Sequence, residues 1–397
     1  MLADFILTDE QKAIKDAARE FAEKEFPNYA EECDREEKFP FELWKKAAKL
    51  GFIGMGIPEK YSGQGLGMLD SCLVVEEFWR VDGGLGMILA STFGSEQIIL
   101  FGSEKQKEKY LPPLAKGEAI CCACYTEPQA GSDVAGIKTR ADKDGDEYVI
   151  NGTKMFITNG TIADYYIVLA RTDPNPPKRH HGMSVFIVEK GTPGLEARKL
   201  TNKLGIRASD TAEVVFKNVR VPKENLIGQE GRGFYQTMIF FNVTRIPVAF
   251  QAIGLAQGAF ELAFEFAKNR EVFERKLIEF QMTQEKIAKM RTKLEAARLL
   301  AYQAAFFQDK MGMPDPGLTA MAKYYTAKVA QEMVHEALQI YGGYGFMGEQ
   351  AISRMYRDAR ILEIYEGTRE IELEIISRSL LGKIPSRLCG VRKHPLM

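Results

Sequence analysis

Hydrophobic periodicity changes twice along this chain of 397 residues, and the change limits the architectures open to it. Up to about residue 120 apolar residues recur at helical spacing. Ile14, Ala17, Ala18, Phe21 and Ala22 follow a Thr8/Gln11 capping-box pattern, and an amphipathic run over 41–50 stops at Gly51. Helical patterns continue over 71–80 and 86–101. From about Ala119 to Gly228 the spacing alternates instead. Tyr148-Val149-Ile150 leads into an expected Asn151-Gly152 turn and on to Met155-Phe156-Ile157, with further β-rich runs over 165–170, 183–188 and 212–216. After Gly231-Arg232-Gly233 helical spacing returns. Its two long seams run through Ile287, Met290, Leu294, Ala297, Ala301 and Ala304, and through Leu318, Met321, Tyr325, Val329, Met333, Ala337 and Ile340. Successive strands without intervening helices suit an antiparallel barrel or sandwich, and short links between long helices suit an antiparallel bundle. The expected fold is therefore α+β and multidomain: an N-terminal helical domain over 1–120, a central β domain over 121–230, a C-terminal helical bundle over 231–383 and a basic tail over 384–397.

Charge and cysteine content narrow the function classes. A formal net charge of −1 argues against nucleic acid or an anionic membrane as the main partner. No apolar run is expected to reach the ~20 residues of a membrane span. Met1-Leu2-Ala3-Asp4-Phe5 lacks the basic start and apolar core of a secretory signal. Six cysteines in so long a chain do not make a disulfide framework. A cytoplasmic location is expected, or the mitochondrial matrix had a transit peptide been removed.

Several motifs invite chemistry, and each has a plainer reading. Ser62-Gly63-Gln64-Gly65-Leu66-Gly67 follows Pro58 and Tyr61 rather than a strand, so it reads as a turn and not as a phosphate loop. Cys121-Cys122-Ala123-Cys124 is formally C-x-x-C, but in a strand Cys121 and Cys124 face opposite sides, so no metal site is expected. His335, near Glu332 and Glu336, reads as a helix-surface residue. Ile364-Tyr365-Glu366-Gly367-Thr368 also has a plainer reading, a surface glutamate at a helix junction, and a sharper one. Gly367 breaks a helical apolar run, Thr368 is placed to cap the next helix, and Glu366 sits at the break among apolar neighbours. A carboxylate so placed is poorly solvated, its pKa rises, and it acquires the profile of a general base.

Two strand ends, 125–134 and 156–160, offer hydroxyls, small residues and an aromatic that together could cradle a flat heterocycle. Arg270-Glu271-Val272-Phe273 with Gln281, and Gln339 to Phe346, add an arginine and glycines suited to a diphosphate.

In combination and order these residues resemble the acyl-CoA dehydrogenase family, over about Leu7 to Leu381. The resemblance implies an N-terminal helical domain, a central antiparallel β-barrel and a C-terminal four-helix bundle. It implies FAD-dependent α,β-dehydrogenation of an acyl-CoA thioester, with Glu366 taking the α-proton and flavin N5 the β-hydride, and electrons passing to an electron-transfer flavoprotein. Tyr125, Thr126, Phe156 and Thr158 match positions at the isoalloxazine. Arg270, Phe273, Gln281, Gln339 and Gly343 match positions for the FAD diphosphate and adenosine, partly across a subunit boundary, and Thr368 and Glu370 match further FAD contacts. Ser132 and Asn242 match contacts to CoA, Arg245 an arginine packed near the active site, and Tyr365 and Gly367 flank the base. The family usually forms homotetramers. Some members carry the base at the position of Thr244, which threonine cannot serve. Glu372-Leu373 replaces a common Gln–Arg, and Gly86 stands where glutaryl-type members have arginine, which argues against a dicarboxylyl substrate. Leu89, Ala90, Ser91, Phe93, Phe241 and Val248 are candidate walls of the acyl pocket. An oxygen-using acyl-CoA oxidase and a non-catalytic acyl-CoA-binding protein are the competing readings; an intact Tyr365-Glu366-Gly367 counts against the second.

Overall fold

The computed structural model describes residues 6–383, so the expectations for the first five residues and for the tail over 384–397 lie outside the described residues. Seven helices come first: α1 (Asp9–Glu25), α2 (Ala30–Glu36), α3 (Phe41–Lys49), α4 (Met68–Val81), α5 (Gly83–Gly86), α6 (Ser95–Phe101) and α7 (Glu104–Ala115). The Thr8/Gln11 capping box forms as its sequence implies. The stretch 86–101 is not one helix. It becomes a 3-10 turn over Met87–Thr92 and then α6, broken at Gly94, whose φ of +113° and contact with Ile167 and Cys121 suit no larger residue. The glycines over 62–67 fold as a turn that feeds the N-terminus of α4.

Eight strands follow: β1 (Cys121–Cys124), β2 (Arg140–Asp144), β3 (Glu147–Thr158), β4 (Tyr165–Arg171), β5 (Met183–Glu189), β6 (Leu195–Lys199), β7 (Thr211–Pro222) and β8 (Leu226–Ile227). They form one sheet in the order β6-β7-β3-β2-β4-β5-β8, with β1 beside β4. Pairing is antiparallel except where β4 meets β1 and β2. Asn151-Gly152 is not a hairpin. The turn lies at Gly145-Asp146, and Gly152 marks a register shift inside the continuous β3, where a Cβ would strike Thr139. Cys122 and Cys124 share one face of β1 and are buried, 3.7 Å apart at sulfur.

The remaining helices are α8 (Gly233–Asn269), α9 (Gln281–Met311), α10 (Pro316–Tyr341), α11 (Ala351–Ala359) and α12 (Arg369–Leu380), with a small hairpin, β9 (Glu271–Val272) and β10 (Arg275–Lys276), after α8. Helix α8 is the spine. It packs on α4, α9 and α10, and one apolar core runs through all four. By length and composition Gly83–Phe101 and Gly233–Asn269 are apolar enough to span a bilayer, which the sequence reading missed because polar residues such as Asn242, Arg245, Gln251 and Gln257 interrupt the second. Of that second segment's apolar window 72% is buried inside the molecule, as in a core helix.

One buried polar knot ties these helices together. Arg298 donates to Glu76 at 3.0 Å and to Gln257 at 2.8 Å, Tyr302 donates to Glu76 at 2.8 Å, and Lys15 donates to Tyr302 at 3.1 Å. Burial pushes the Glu76 carboxyl up, but Lys15, Arg298 and Tyr302 outweigh it and hold it below the usual range.

Candidate active site

The Glu366 turn is built between a 3-10 turn (Arg360–Glu363) and α12, which Thr368 caps by accepting from the Ile371 N–H. Glu366 has φ +54° and Gly367 φ +110°. Positive φ costs a glutamate roughly 1–3 kcal/mol, so something must hold it there. Two cations do. Arg245 on α8 shares its Nε–H between the Glu366 carbonyl at 3.0 Å and Glu372 Oε1 at 2.9 Å, and Lys323 on α10 donates to the Gly367 carbonyl. Asn242 accepts from Arg245 at 2.7 Å. Arg245, Glu372 and Lys323 are all buried. Burial drives the Glu372 carboxyl up to about 7 against the pull of Arg245 and Lys323, and drives Lys323 down to about 8.

The Glu366 side chain faces the other way, into a cleft of about 1450 Å³. Its carboxylate accepts a hydrogen bond from Thr244. Burial raises its pKa, against that hydrogen bond and the charges of Arg245 and Lys323. The backbone N–H of Glu366 has no partner among the described residues.

Across the cleft stand the two strand ends. Met155 N–H donates to the Thr126 carbonyl at 2.9 Å, which draws the end of β1 onto β3. A register shift between Lys154 and Ile157 leaves Phe156 at φ +60° and 67% exposed, its ring lining the cleft with Thr126 and Thr158. An aromatic held so open in strained backbone fits a flat ring stacked beside it. Behind them the fully buried Lys154 donates to the Tyr125 carbonyl at 3.0 Å and to Glu127 at 2.9 Å. Glu127 also accepts from the N–H groups of Lys138 and Thr139; burial alone would raise its carboxyl, but the Lys154 charge first and these hydrogen bonds after it bring it down to about 2.

Most of the expected site residues line the cleft, and the others lie away from it. Glu366, Tyr365, Gly367, Thr368, Tyr125, Thr126, Phe156, Thr158 and Ser132 line the cleft, as do Leu89, Ala90, Phe93, Phe241 and Val248 of the expected acyl walls. Ser91 is buried and does not line it. Arg245 reaches the wall with 5% exposure, and Asn242 lies behind it, so both brace the turn where a CoA contact was expected of Asn242. Glu370 is exposed and outside the cleft. Arg270, Phe273, Gln281, Gln339 and Gly343 do not line it either. Arg270 and Gly343 line a separate cavity of about 480 Å³ at the far end of α8, where the Arg270 guanidinium sits 5.4 Å from the Tyr344 ring centroid. Phe273 is 90% exposed at φ +50°.

Thr244, Lys323 and Glu372 had no functional reading as residues of the site. The available signal was a charge at a core-facing helical position: Lys323 sits between Ala320, Ala322 and Ala327 of the α10 seam.

Three family models match in the order of the fold: the acyl-CoA dehydrogenase N-terminal domain over residues 8–118, the middle domain over 122–219 and the C-terminal domain over 231–381. The chain is 44% identical to the short-chain specific acyl-CoA dehydrogenase of Clostridium acetobutylicum, over 96% of this chain and 99% of that protein. It superposes on butyryl-CoA dehydrogenase from Megasphaera elsdenii with a TM-score of 0.91 at 41% identity, covering 95% of this chain and all (100%) of the other. A chain solved in work on the electron transferring flavoprotein of Acidaminococcus fermentans gives a TM-score of 0.92 at 44% identity, over 95% and 99% of the two chains.

Proposed function

The chain belongs to the acyl-CoA dehydrogenase family, an oxidoreductase of flavin-dependent type, and from that premise we propose that it desaturates an acyl-CoA thioester at the α,β bond with Glu366 as base and FAD as hydride acceptor. One observation carries the reading: a carboxylate with raised pKa, locked at positive φ, faces an open aromatic across a cleft large enough for a ring and a thioester together.

Glu366 takes the α-proton. Burial weakens its solvation and raises its basicity, so proton transfer to it costs less than transfer to a carboxylate in water. The free Glu366 N–H is a donor for the thioester oxygen as negative charge develops there. Thr244, donating to the same carboxylate, orients it. Tyr365, whose hydroxyl donates to Gln251, closes the wall beside it and helps exclude water. Bound FAD would supply the hydride acceptor, N5, held by Thr126, Thr158 and the face of Phe156. Ser132, exposed at the rim, suits the CoA side. Relatives support an electron-transfer flavoprotein as acceptor and short acyl groups as substrates. A homotetramer would bring the Arg270 cluster of one subunit to the cleft of another.

Anaerobic titration of the purified flavoprotein with a panel of acyl-CoAs tests this. The flavin absorbance near 450 nm is expected to bleach with at least one of them, and bleaching with none would remove the dehydrogenase reading. Rapid reoxidation in air after bleaching would point to an oxidase in place of a flavoprotein-linked dehydrogenase.

A further inference from the structure

Glu96 lines the same cleft as Glu366 and has no task in the reaction above. It lies in the first turn of α6, where Oε2 accepts from the Gly94 N–H at 3.0 Å. Among the described residues no cation pairs with it. Burial pushes it up to about 7, the backbone N–H groups of Glu96 and Gly94 pull it back only in part, and the Glu366 charge raises it further. A capping role accounts for one of its oxygens. It does not account for a half-buried carboxyl at the wall of a ligand cleft without a counter-ion.

A second, independent observation lies beside it. Tyr125 lines the cleft at 4% exposure, its ring edge-on to Phe240 and Phe241, and its hydroxyl completes no well-formed hydrogen bond, although the side-chain amide of Gln97 lies beside it. Gln97, next in the chain to Glu96, is fully buried, and the Tyr125 hydroxyl is the polar group its amide faces. Burial raises the Tyr125 phenol, Gln97 pulls it back in part, and the charges of Glu96 and Glu366 raise it further. Around these groups the wall is apolar: Phe93, Ile99, Leu100, Met238 and Phe241. An alkyl chain filling that space would leave the Tyr125 donor and the Glu96 acceptor facing hydrocarbon, which is unfavourable.

We propose that Glu96 and Tyr125 form a polar subsite in the acyl part of the cleft, and that the preferred acyl group carries a hydroxyl remote from the thioester. This rests on the reading of the cleft as an acyl-CoA site and names its substrate class. A hydroxyl suits the pair because it donates and accepts at one atom: it donates to the Glu96 carboxyl and accepts from the Tyr125 O–H. A distal carboxylate meets like charge at Glu96 with no cation to offset it. A distal ammonium satisfies Glu96, but offers Tyr125 no acceptor.

The test compares kcat/KM for plain, ω-hydroxy and ω-amino acyl-CoAs of matched length, from four to eight carbons, with the flavin-loaded wild type and with Glu96→Leu, Glu96→Gln and Tyr125→Phe. The readout is the hydroxy-to-plain ratio at the best length, so a general loss of activity does not mimic the effect. The wild type should favour the hydroxylated chain by roughly tenfold or more, and Glu96→Leu and Tyr125→Phe should each remove most of that preference. Tyr125→Phe deletes a single oxygen and keeps the test alive should Glu96→Leu not fold. Equal ratios in wild type and variants overturn the subsite while leaving the dehydrogenase reading intact. A wild-type preference for the amino chain overturns the hydroxyl assignment in favour of a cation. A wild type that bleaches with no acyl-CoA at all overturns the dehydrogenase reading, and the subsite with it.

Discussion

Glu366→Gln should bind an acyl-CoA but bleach its flavin about 10⁴-fold more slowly than the wild type, the upper range for loss of a positioned general base. Glutamine keeps the shape, keeps an acceptor for the Thr244 hydroxyl and removes the basic oxygen. Because the backbone carbonyl of residue 366 is held by Arg245, and not by the side chain, the turn should survive the change. Stopped-flow absorbance gives the rate and a binding titration gives the affinity. Bleaching at the wild-type rate would sink the assignment. The pH profile adds a second check. Activity needs the ionised base, so kcat/KM should rise with pH through the pKa of Glu366, which burial places above the ordinary carboxylate value. Thr244→Val removes a hydrogen bond that favours the ionised form, and should move that limb to still higher pH.

Arg245→Leu should cost about 3–5 kcal/mol of stability, measured by urea denaturation, because Glu372 is then buried without its arginine. One oxygen of Glu372 already lacks a partner. The Glu366 carbonyl loses its hold in the same step, and a displacement of the base by about 1 Å is worth roughly 10² in rate. Glu372→Gln separates the two effects, since it keeps an acceptor for Arg245 and deletes the titrating group. Its sign follows from linkage. Glu372 titrates near 7 when folded and at about 4.3 when unfolded, so between those values the folded chain binds a proton that the unfolded chain releases. Glu372 therefore makes stability fall as pH rises through that window, and Glu372→Gln should flatten the fall. An unchanged pH slope in Glu372→Gln would show that this carboxyl is ionised throughout.

The order of helices, strands and helices was legible because hydrophobic period is a local property; Glu366 stood out as a glutamate between an apolar run and Gly367-Thr368, but only the family resemblance of the surrounding motifs raised it above a surface residue. The brace behind it was not. Arg245, Lys323 and Glu372 come from three helices, and the Arg245–Glu372 contact spans 127 positions, so no window of sequence contains it. Glu96 was hidden for another reason: an acidic residue in the first turn of a helix is ordinary, and only the cleft around it makes it unusual. Asn151-Gly152 misled because its turn chemistry also serves a bulge, and the pairing of β3 along β7 decides between the two.

Helix α8 also acts as a ruler. From Thr244, beside the base, to Arg270, at its far end, lie 26 residues, or about 39 Å of helix axis at 1.5 Å per residue. That is farther than one extended dinucleotide stretches, so a single FAD seated beside Glu366 and Thr244 would meet Arg270 only on another copy of the chain. Cofactor retention would then obey mass action: dilute protein should shed its flavin as the copies part, while its fold stays intact.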